Sequence, residues 1–188
     1  VRPVYEDAVV GSFYNAAIVA AVGAVLSQDS SFAPAVLEIG AGTGGTASSL
    51  LPMLDARCKR YSFTDVSEVF LRQARSRFAE YAFVEYLLLN IDADPRLQGF
   101  ALHENDILVA TNVLHATPFI RSTLLNCCKL LRPSGLLLVN ELVMTDPFAQ
   151  ISFGMTDGWW LFSESKDPER VGQDSPLLSW RQWEALLA

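Results

Sequence analysis

The chain predicts an α/β fold built on a doubly wound, mainly parallel sheet. Three observations carry that prediction. Short strand-like runs and helical-period segments alternate five times between Ala35 and Leu142. The strand-like runs are apolar on both faces, as strands covered by helices on each side must be. A glycine cluster, "GAGTGG", stands at the first strand-to-helix turn, where such sheets take their ligands.

Each element follows from its residues. "SFYNAAIVAAVGAVL" (Ser12–Leu26) repeats apolar residues with helical period, and Ser12 is its expected cap. "AVLEIG" (Ala35–Gly40) is a short strand stopped by glycine. "GGTASSLLPML" is the next helix, with Pro52 near its end. "RYSFTD" (Arg60–Asp65) is a β-rich run ending in an acid. "VSEVFLRQARSRFAEY" is an amphipathic helix capped by Ser67. "FVEYLLLN" and "DILVAT" (Asp106–Thr111) are the third and fourth strands. "PFIRSTLLNCCKLL" is a helix with Pro118 at its start, where a missing N–H costs nothing. "RPSG" turns the chain into the fifth strand, "LLLVNEL" (Leu136–Leu142). The alternation then stops. Residues 143–176 are rich in aromatics and turns and read as an insert or lid over the strand ends, before a final helix near Ser179. Right-handed crossovers wind the whole into one domain over 1–188.

Composition narrows the function. At 188 residues, with 51% apolar content and mean hydropathy +0.24, the chain can bury a real core. A net charge of −7 disfavours nucleic-acid backbones and anionic membranes as partners. No apolar run is expected to reach the roughly 20 residues of a membrane span. The N-terminus lacks the basic-then-apolar layout of a signal peptide, and the cysteine usage leads to the expectation of a cytoplasmic protein. Cys58, Cys127 and Cys128 show no paired spacing and read as reduced core thiols. With two histidines, no structural zinc site is expected. A first residue that is not Met, and a last stretch that reads as a helix cut short, suggest a piece of a longer polypeptide.

The glycine turn carries the chemistry. In the cluster Gly40, Gly42, Gly44 and Gly45, the first, second and fourth glycines satisfy G-x-G-x-x-G, and Glu38, Gly40, Gly42 and Gly44 satisfy E-x-G-x-G-x-G. Glycine lets a ligand approach the backbone, and the helix that follows offers free N–H groups. Asp65 ends the next strand 20 residues after Gly45, where a carboxylate can accept both hydroxyls of a ribose. This suits NAD and S-adenosylmethionine (SAM) equally. Glu38 lies at the strand end, where its carboxylate can hold loop N–H groups or water. Asn90 and Ile91 close the third strand and suit the edge and face of an adenine. "ATNVLHAT" (Ala110–Thr117) brings a histidine to the same crevice. His103, in "ALHEND", reads as a solvated turn residue.

Taken together, "VLEIGAGTGGT", "YSFTDVS", "LLLNIDADPRLQGF", "NVLHAT", "LRPSGLLLVNE", "FGMTDGWWLF" and "SPLLSWRQWEALL" resemble the methyltransferase domain of type I polyketide synthases, especially the C-methylating kind. The resemblance runs from about Tyr5 to Leu187. It implies a Rossmann-like class I SAM-dependent methyltransferase fold, without the N-terminal lid subdomain and the last strands those domains carry. It implies methylation of the α-carbon of a β-ketoacyl chain tethered to an acyl carrier protein, with neighbouring synthase domains as further partners. His115 is then the expected base and Glu141 its acid partner. Glu38, Gly40, Gly42, Gly44, Asp65, Asn90, Ile91 and Asn112 form the expected cofactor set. Asn90 stands where the family often has Asp. His115 follows strand four and Glu141 ends strand five, so neighbouring strand ends bring them to one crevice. Trp159 and Trp160 suit either an acyl tunnel or core packing. Three alternatives stay open: an O-methyltransferase of the same synthase type, a non-catalytic structural domain, and an NAD-dependent oxidoreductase.

Overall fold

The computed structural model describes residues 9–144 and 147–188. Five strands form one sheet: β1 (Ala35–Ile39), β2 (Arg60–Asp65), β3 (Val84–Leu88), β4 (Asn105–Thr111) and β5 (Leu131–Asn140). Their order is β3-β2-β1-β4-β5, and every neighbouring pair is parallel. The doubly wound sheet predicted from the alternation is therefore the fold.

Helices cover both faces. On one lie α1 (Val9–Gln28), α2 (Gly45–Leu54) and α3 (Glu68–Arg77). Their Ile18, Val22, Leu50, Leu51, Leu54 and Leu71 pack against Val36, Tyr61, Phe63 and Val109 of the sheet. On the other lie α4 (Ile120–Leu130) and α7 (Trp180–Leu187). Their Ile120, Leu124, Leu130 and Trp183 pack against Leu37, Ile39, Leu108 and Ala110. The alternation of Val36 and Leu37 between the two cores is the period of 2 of a strand buried on both sides.

Several boundaries differ from expectation. Helix α1 begins ahead of Ser12, which lies inside it and is no cap. Its Gly11–Gln28 window, 18 residues of mean hydropathy 1.2, is long and apolar enough to cross a membrane by length and composition, contrary to the expectation of no such run. Ile18, Val22 and Leu26 of that helix belong to the core beside α2. Helix α3 stops at Arg77, short of Tyr81. Pro118 does not start α4. The residue before a proline is pushed to extended backbone, Thr117 and Phe119 are both extended, and the helix opens at Ile120. The "RPSG" turn is a bulge inside β5. Between the pairs Asn105↔Leu131 and Ile107↔Leu136 the two strands advance by different lengths, and Ser134 takes the excess at φ 64.

Beyond β5 the chain folds into short pieces: α5 (Pro147–Phe153), a 3₁₀ turn at Asp157–Trp159, α6 (Leu161–Glu164) and a 3₁₀ turn at Pro168–Arg170. Trp159 and Leu177 make a third small core there with Leu142 and Phe153. Helix α7 starts with a full capping box, Ser179 against Gln182. Cys127 is buried and its thiol is pushed up to about 12 by desolvation, whereas Cys128 is exposed and does not fit the core-thiol expectation.

Candidate active site

Strand order reverses at β1, which has β2 on one side and β4 on the other. In open parallel sheets a crevice forms at such a point, outside the carboxyl ends of the strands. The glycine loop leaves β1 here and the "NVLHAT" segment leaves β4.

The glycine loop is tied to β2. Ala41 N–H donates to the Thr64 carbonyl at 2.9 Å, and Gly42 N–H donates to Asp65 Oδ2 at 2.9 Å. Asp65 Oδ1 accepts from Ser67 N–H at 2.8 Å. This carboxylate, 6% exposed, therefore closes the loop and opens α3 together, in place of a side-chain cap from Ser67. Each of its oxygens still has a lone pair to offer.

The three loop glycines have different causes. All have positive φ. A Cβ on Gly40 would sit 2.2 Å from Val113 Cγ2, and one on Gly44 2.8 Å from Phe78 Cε2. Packing demands glycine at both. At Gly42 the nearest atom to such a Cβ is the Gly40 carbonyl oxygen, at 3.9 Å. At Gly42, then, packing leaves room for a Cβ, and only the backbone, at φ 54, calls for glycine. The first turn of α2 follows directly, with N–H groups that have no partner within the helix, and the Asp65 carboxylate is bonded to Gly42 N–H.

Glu38 does not grip the loop. It is 2% exposed, and Oε2 accepts from the Tyr61 hydroxyl at 2.7 Å. Desolvation, only partly offset by that hydroxyl, pushes its carboxyl from 4.5 up to about 8, and the nearby Asp65 charge adds to the rise. The fold thus favours the neutral acid. Its contribution to stability is complete below 4.5 and is lost as pH rises through about 8. The thermal midpoint is expected to fall across that window in wild type, and Glu38→Gln, which mimics the neutral acid, should flatten the fall. Melting curves at several pH values check this; an equal slope in both proteins would contradict it.

Asn90 and Ile91 lie past the end of β3. Asn90 is exposed, and its Oδ1 accepts from Asp92 N–H at 3.0 Å. Ile91 is 5% exposed and packs into the α4 face of the core. The expectation of an aliphatic surface from its side chain is therefore corrected. Val66, the residue after Asp65, is 69% exposed and presents such a surface.

His115 and Glu141 come together as the strand ends predict. His115 Nδ1 lies 2.6 Å from Glu141 Oε2. Glu141 Oε1 accepts from Val113 N–H at 2.8 Å and Leu114 N–H at 2.7 Å. The two side chains are 11% and 2% exposed. Two backbone N–H groups donate to Oε1, and at Oε2 an ionised carboxylate can only accept, so this bond is made with the proton on Nδ1 and leaves Nε2 as the ring nitrogen not engaged by Glu141. Trp159 sets its ring edge-on to the imidazole, with centroids 5.7 Å apart. Asn112, at φ 49, donates its backbone N–H to the Asn140 carbonyl at 2.8 Å, and its Oδ1 accepts from Leu142 N–H at 3.1 Å. It staples the β4 end to the β5 end. His103 stays at the surface, with Nδ1 2.9 Å from the Leu131 carbonyl. Among the described residues no three His, Cys, Asp or Glu side chains gather as a metal site would need. A cavity of about 400 Å³ between α1 and α2, lined by Asn15, Gly45, Ser48 and Ser49, reaches the start of α2 but not the His115–Glu141 pair.

A parallel sheet of this order, with a glycine loop on β1 and an acid ending β2, serves dinucleotide-binding and SAM-dependent folds alike, and likeness to known proteins decides between them: the chain is a class I SAM-dependent methyltransferase domain. A family model for a methyltransferase domain matches residues 37–137, and the chain belongs to that family. It is 43% identical over 155 residues to the polyketide synthase ThaQ of Burkholderia thailandensis, a match covering 80% of this chain and 7% of that synthase. The chain thus spans a small part of the curated relatives it matches. Among solved structures it resembles the CurJ carbon methyltransferase at TM-score 0.91 and 36% identity, covering 98% of this chain and 48% of that one. It also resembles the trans-methyltransferase CalH, solved in complex with SAH, at TM-score 0.74 and 38% identity, over 82% of this chain and 43% of that one.

Sequence reasoning missed Tyr61, which bonds to Glu38, Val66, which follows Asp65, and the buried pair Asp167 and Arg170, whose guanidinium donates to the His115 carbonyl at 2.7 Å. Val66 could have been found from its place beside Asp65. No local signal marks the other three, because their partners lie 23 or more residues away or in a segment without regular pattern.

Proposed function

We propose that the domain methylates the α-carbon of a β-ketoacyl chain carried by an acyl carrier protein, as part of a cytoplasmic multidomain polyketide synthase. One observation carries the reading: the His115–Glu141 pair, joined at 2.6 Å, follows the neighbouring ends of β4 and β5, and Val113 of the same segment packs against Gly40 of the glycine loop.

SAM, when bound, supplies a methyl group made electrophilic by its sulfonium. Gly42 and the first turn of α2 hold the amino-acid end, Asp65 takes the ribose hydroxyls, and Val66 and Asn90 meet the adenine. His115 Nε2 takes the proton from the carbon between two carbonyls, an acid weak enough to need a base and strong enough for an imidazole. Glu141 keeps Nδ1 protonated and stabilises the imidazolium that forms, as the carboxylate does in a hydrolase triad. Protonated His115 can donate to the forming enolate, whose α-carbon would then take the methyl group as the methyl–sulfur bond breaks and S-adenosylhomocysteine leaves. The short helices of 147–176 cover the imidazole through Trp159, which supports the reading of this segment as a lid.

Asp65→Ala is expected to weaken SAM by about 1.5–3 kcal/mol, the range for a hydrogen bond to a charged group. Isothermal titration of SAM into wild type and variant checks this. Unchanged affinity would place the ribose elsewhere, and no binding heat in wild type would favour a non-catalytic structural domain.

A further inference from the structure

The imidazole sits on a 3₁₀ turn of three residues, Leu114–Ala116. So short a turn cannot fix its own geometry. Glu141 holds it from one side through the N–H groups of Val113 and Leu114. A second grip comes from the other side. Arg170 Nη1 donates to the His115 carbonyl at 2.7 Å, and Nη2 donates to the Thr117 carbonyl at 2.5 Å. Its Nε donates to Asp167 Oδ2 at 2.6 Å, and its guanidinium lies 5.3 Å from the Phe162 ring centre. The Arg170 and Asp167 side chains are 0% and 1% exposed.

Stability is a weak reason to bury such a pair. Desolvation of two ions cancels much of their attraction, and apolar residues of similar volume often serve as well. A planar fork with two backbone carbonyls and a carboxylate as its three targets has a geometric purpose. Those carbonyls belong to the base and to the residue two positions on. The charges of Asp167, Asp92 and Glu141 all act on Arg170, so this cation of the lid segment lies within electrostatic reach of the partner of His115.

We infer that Arg170, oriented by Asp167, is a positioning residue for methyl transfer: it clamps the His115–Thr117 backbone so that the imidazole keeps its bond to Glu141. The clamp ties the lid segment to the base. This rests on His115 being the base.

The test uses Arg170→Lys. A lysine keeps a cation beside Asp167 but cannot present two parallel N–H groups to two carbonyls. Methyl transfer from SAM to an acetoacetyl thioester of N-acetylcysteamine is measured per folded molecule, with the folded fraction taken from circular dichroism. The clamp predicts a kcat lower by about 10–100-fold, the loss expected for a group displaced by up to 1 Å. KM for the thioester and Kd for SAM should stay at their wild-type values. A wild-type kcat per folded molecule would overturn the inference, as would kcat and SAM affinity falling together. If Arg170→Lys does not fold, Asp167→Asn, which keeps the size and the acceptor, is held to the same criteria. Failure of both to fold would also overturn it and make the pair a folding element. His115→Ala in the same assay separates the two readings. Retained turnover there removes the base itself, whereas lost turnover beside a normal Arg170→Lys removes only the clamp.

Discussion

Replacing His115 with alanine will lower methyl transfer by about 10²–10⁴-fold, the usual contribution of a positioned general base, while SAM binds as before. The separation follows from geometry. His115 hangs from the segment after β4 and bonds to Glu141 at 2.6 Å, whereas the cradle we propose for the donor is Gly42, Asp65 and the start of α2. The substitution has a structural side. It leaves Glu141, with a side chain 2% exposed, short of one hydrogen bond, at a cost of about 1–3 kcal/mol. Rates are therefore compared per folded molecule. His115→Asn is the control: its amide N–H can reach toward Glu141 and restore stability, but an amide is no base, so turnover stays lost. Kinetics on a β-ketoacyl thioester, with SAM titration alongside, check both. Loss of SAM binding in both variants would make His115 part of the cradle.

Glu141→Gln should be nearly as damaging with less disturbance to the fold. Glutamine keeps the volume, and its carbonyl oxygen can still accept from Val113 and Leu114 N–H, which Glu141 Oε1 holds at 2.8 and 2.7 Å. Its NH₂ then points at His115 Nδ1, where the carboxylate oxygen had been. Two donors cannot face each other, so the imidazole must accept at Nδ1 and carry its proton on Nε2. That is the wrong tautomer for a base. A comparable change in a serine-protease triad, a worked case in general treatments of catalysis, lowers kcat by about 10⁴; a loss of about 10²–10⁴ is expected here. The thermal midpoint should move little and SAM affinity not at all. A variant with wild-type kcat would show that Glu141 anchors the turn and does nothing to the imidazole.

The parts of this molecule that repeat were legible in its sequence. Five apolar runs separated by helical segments leave few arrangements, and handedness reduces them to one winding. The meeting of His115 with Glu141 was legible for the same reason: each follows a strand, and those strands are neighbours. What single residues do inside the core was not legible. Glu38 reads as a loop holder because it stands at a strand end, yet on a central strand the side chain points into a core and finds Tyr61. Ile91 reads as an adenine face, but the chain turns inward after β3 and buries it. Gly40 and Gly44 read as ligand glycines, while Val113 and Phe78, from distant segments, are what forbid a side chain there. Pro118 illustrates the competition between local and tertiary preference. It suits a helix start, yet the Thr117 carbonyl is taken by Arg170 and the backbone stays extended until Ile120.

The most direct measurement uses SAM bearing a deuterated methyl group, with an acyl carrier protein loaded with a β-ketoacyl chain. After incubation, fragmentation mass spectrometry locates the label on the phosphopantetheine-bound product. Deuterated methyl on the carbon between the two carbonyls with wild type, and none with His115→Ala, is the predicted result. Label on an oxygen, or label on that carbon at an undiminished rate without the imidazole, would contradict it.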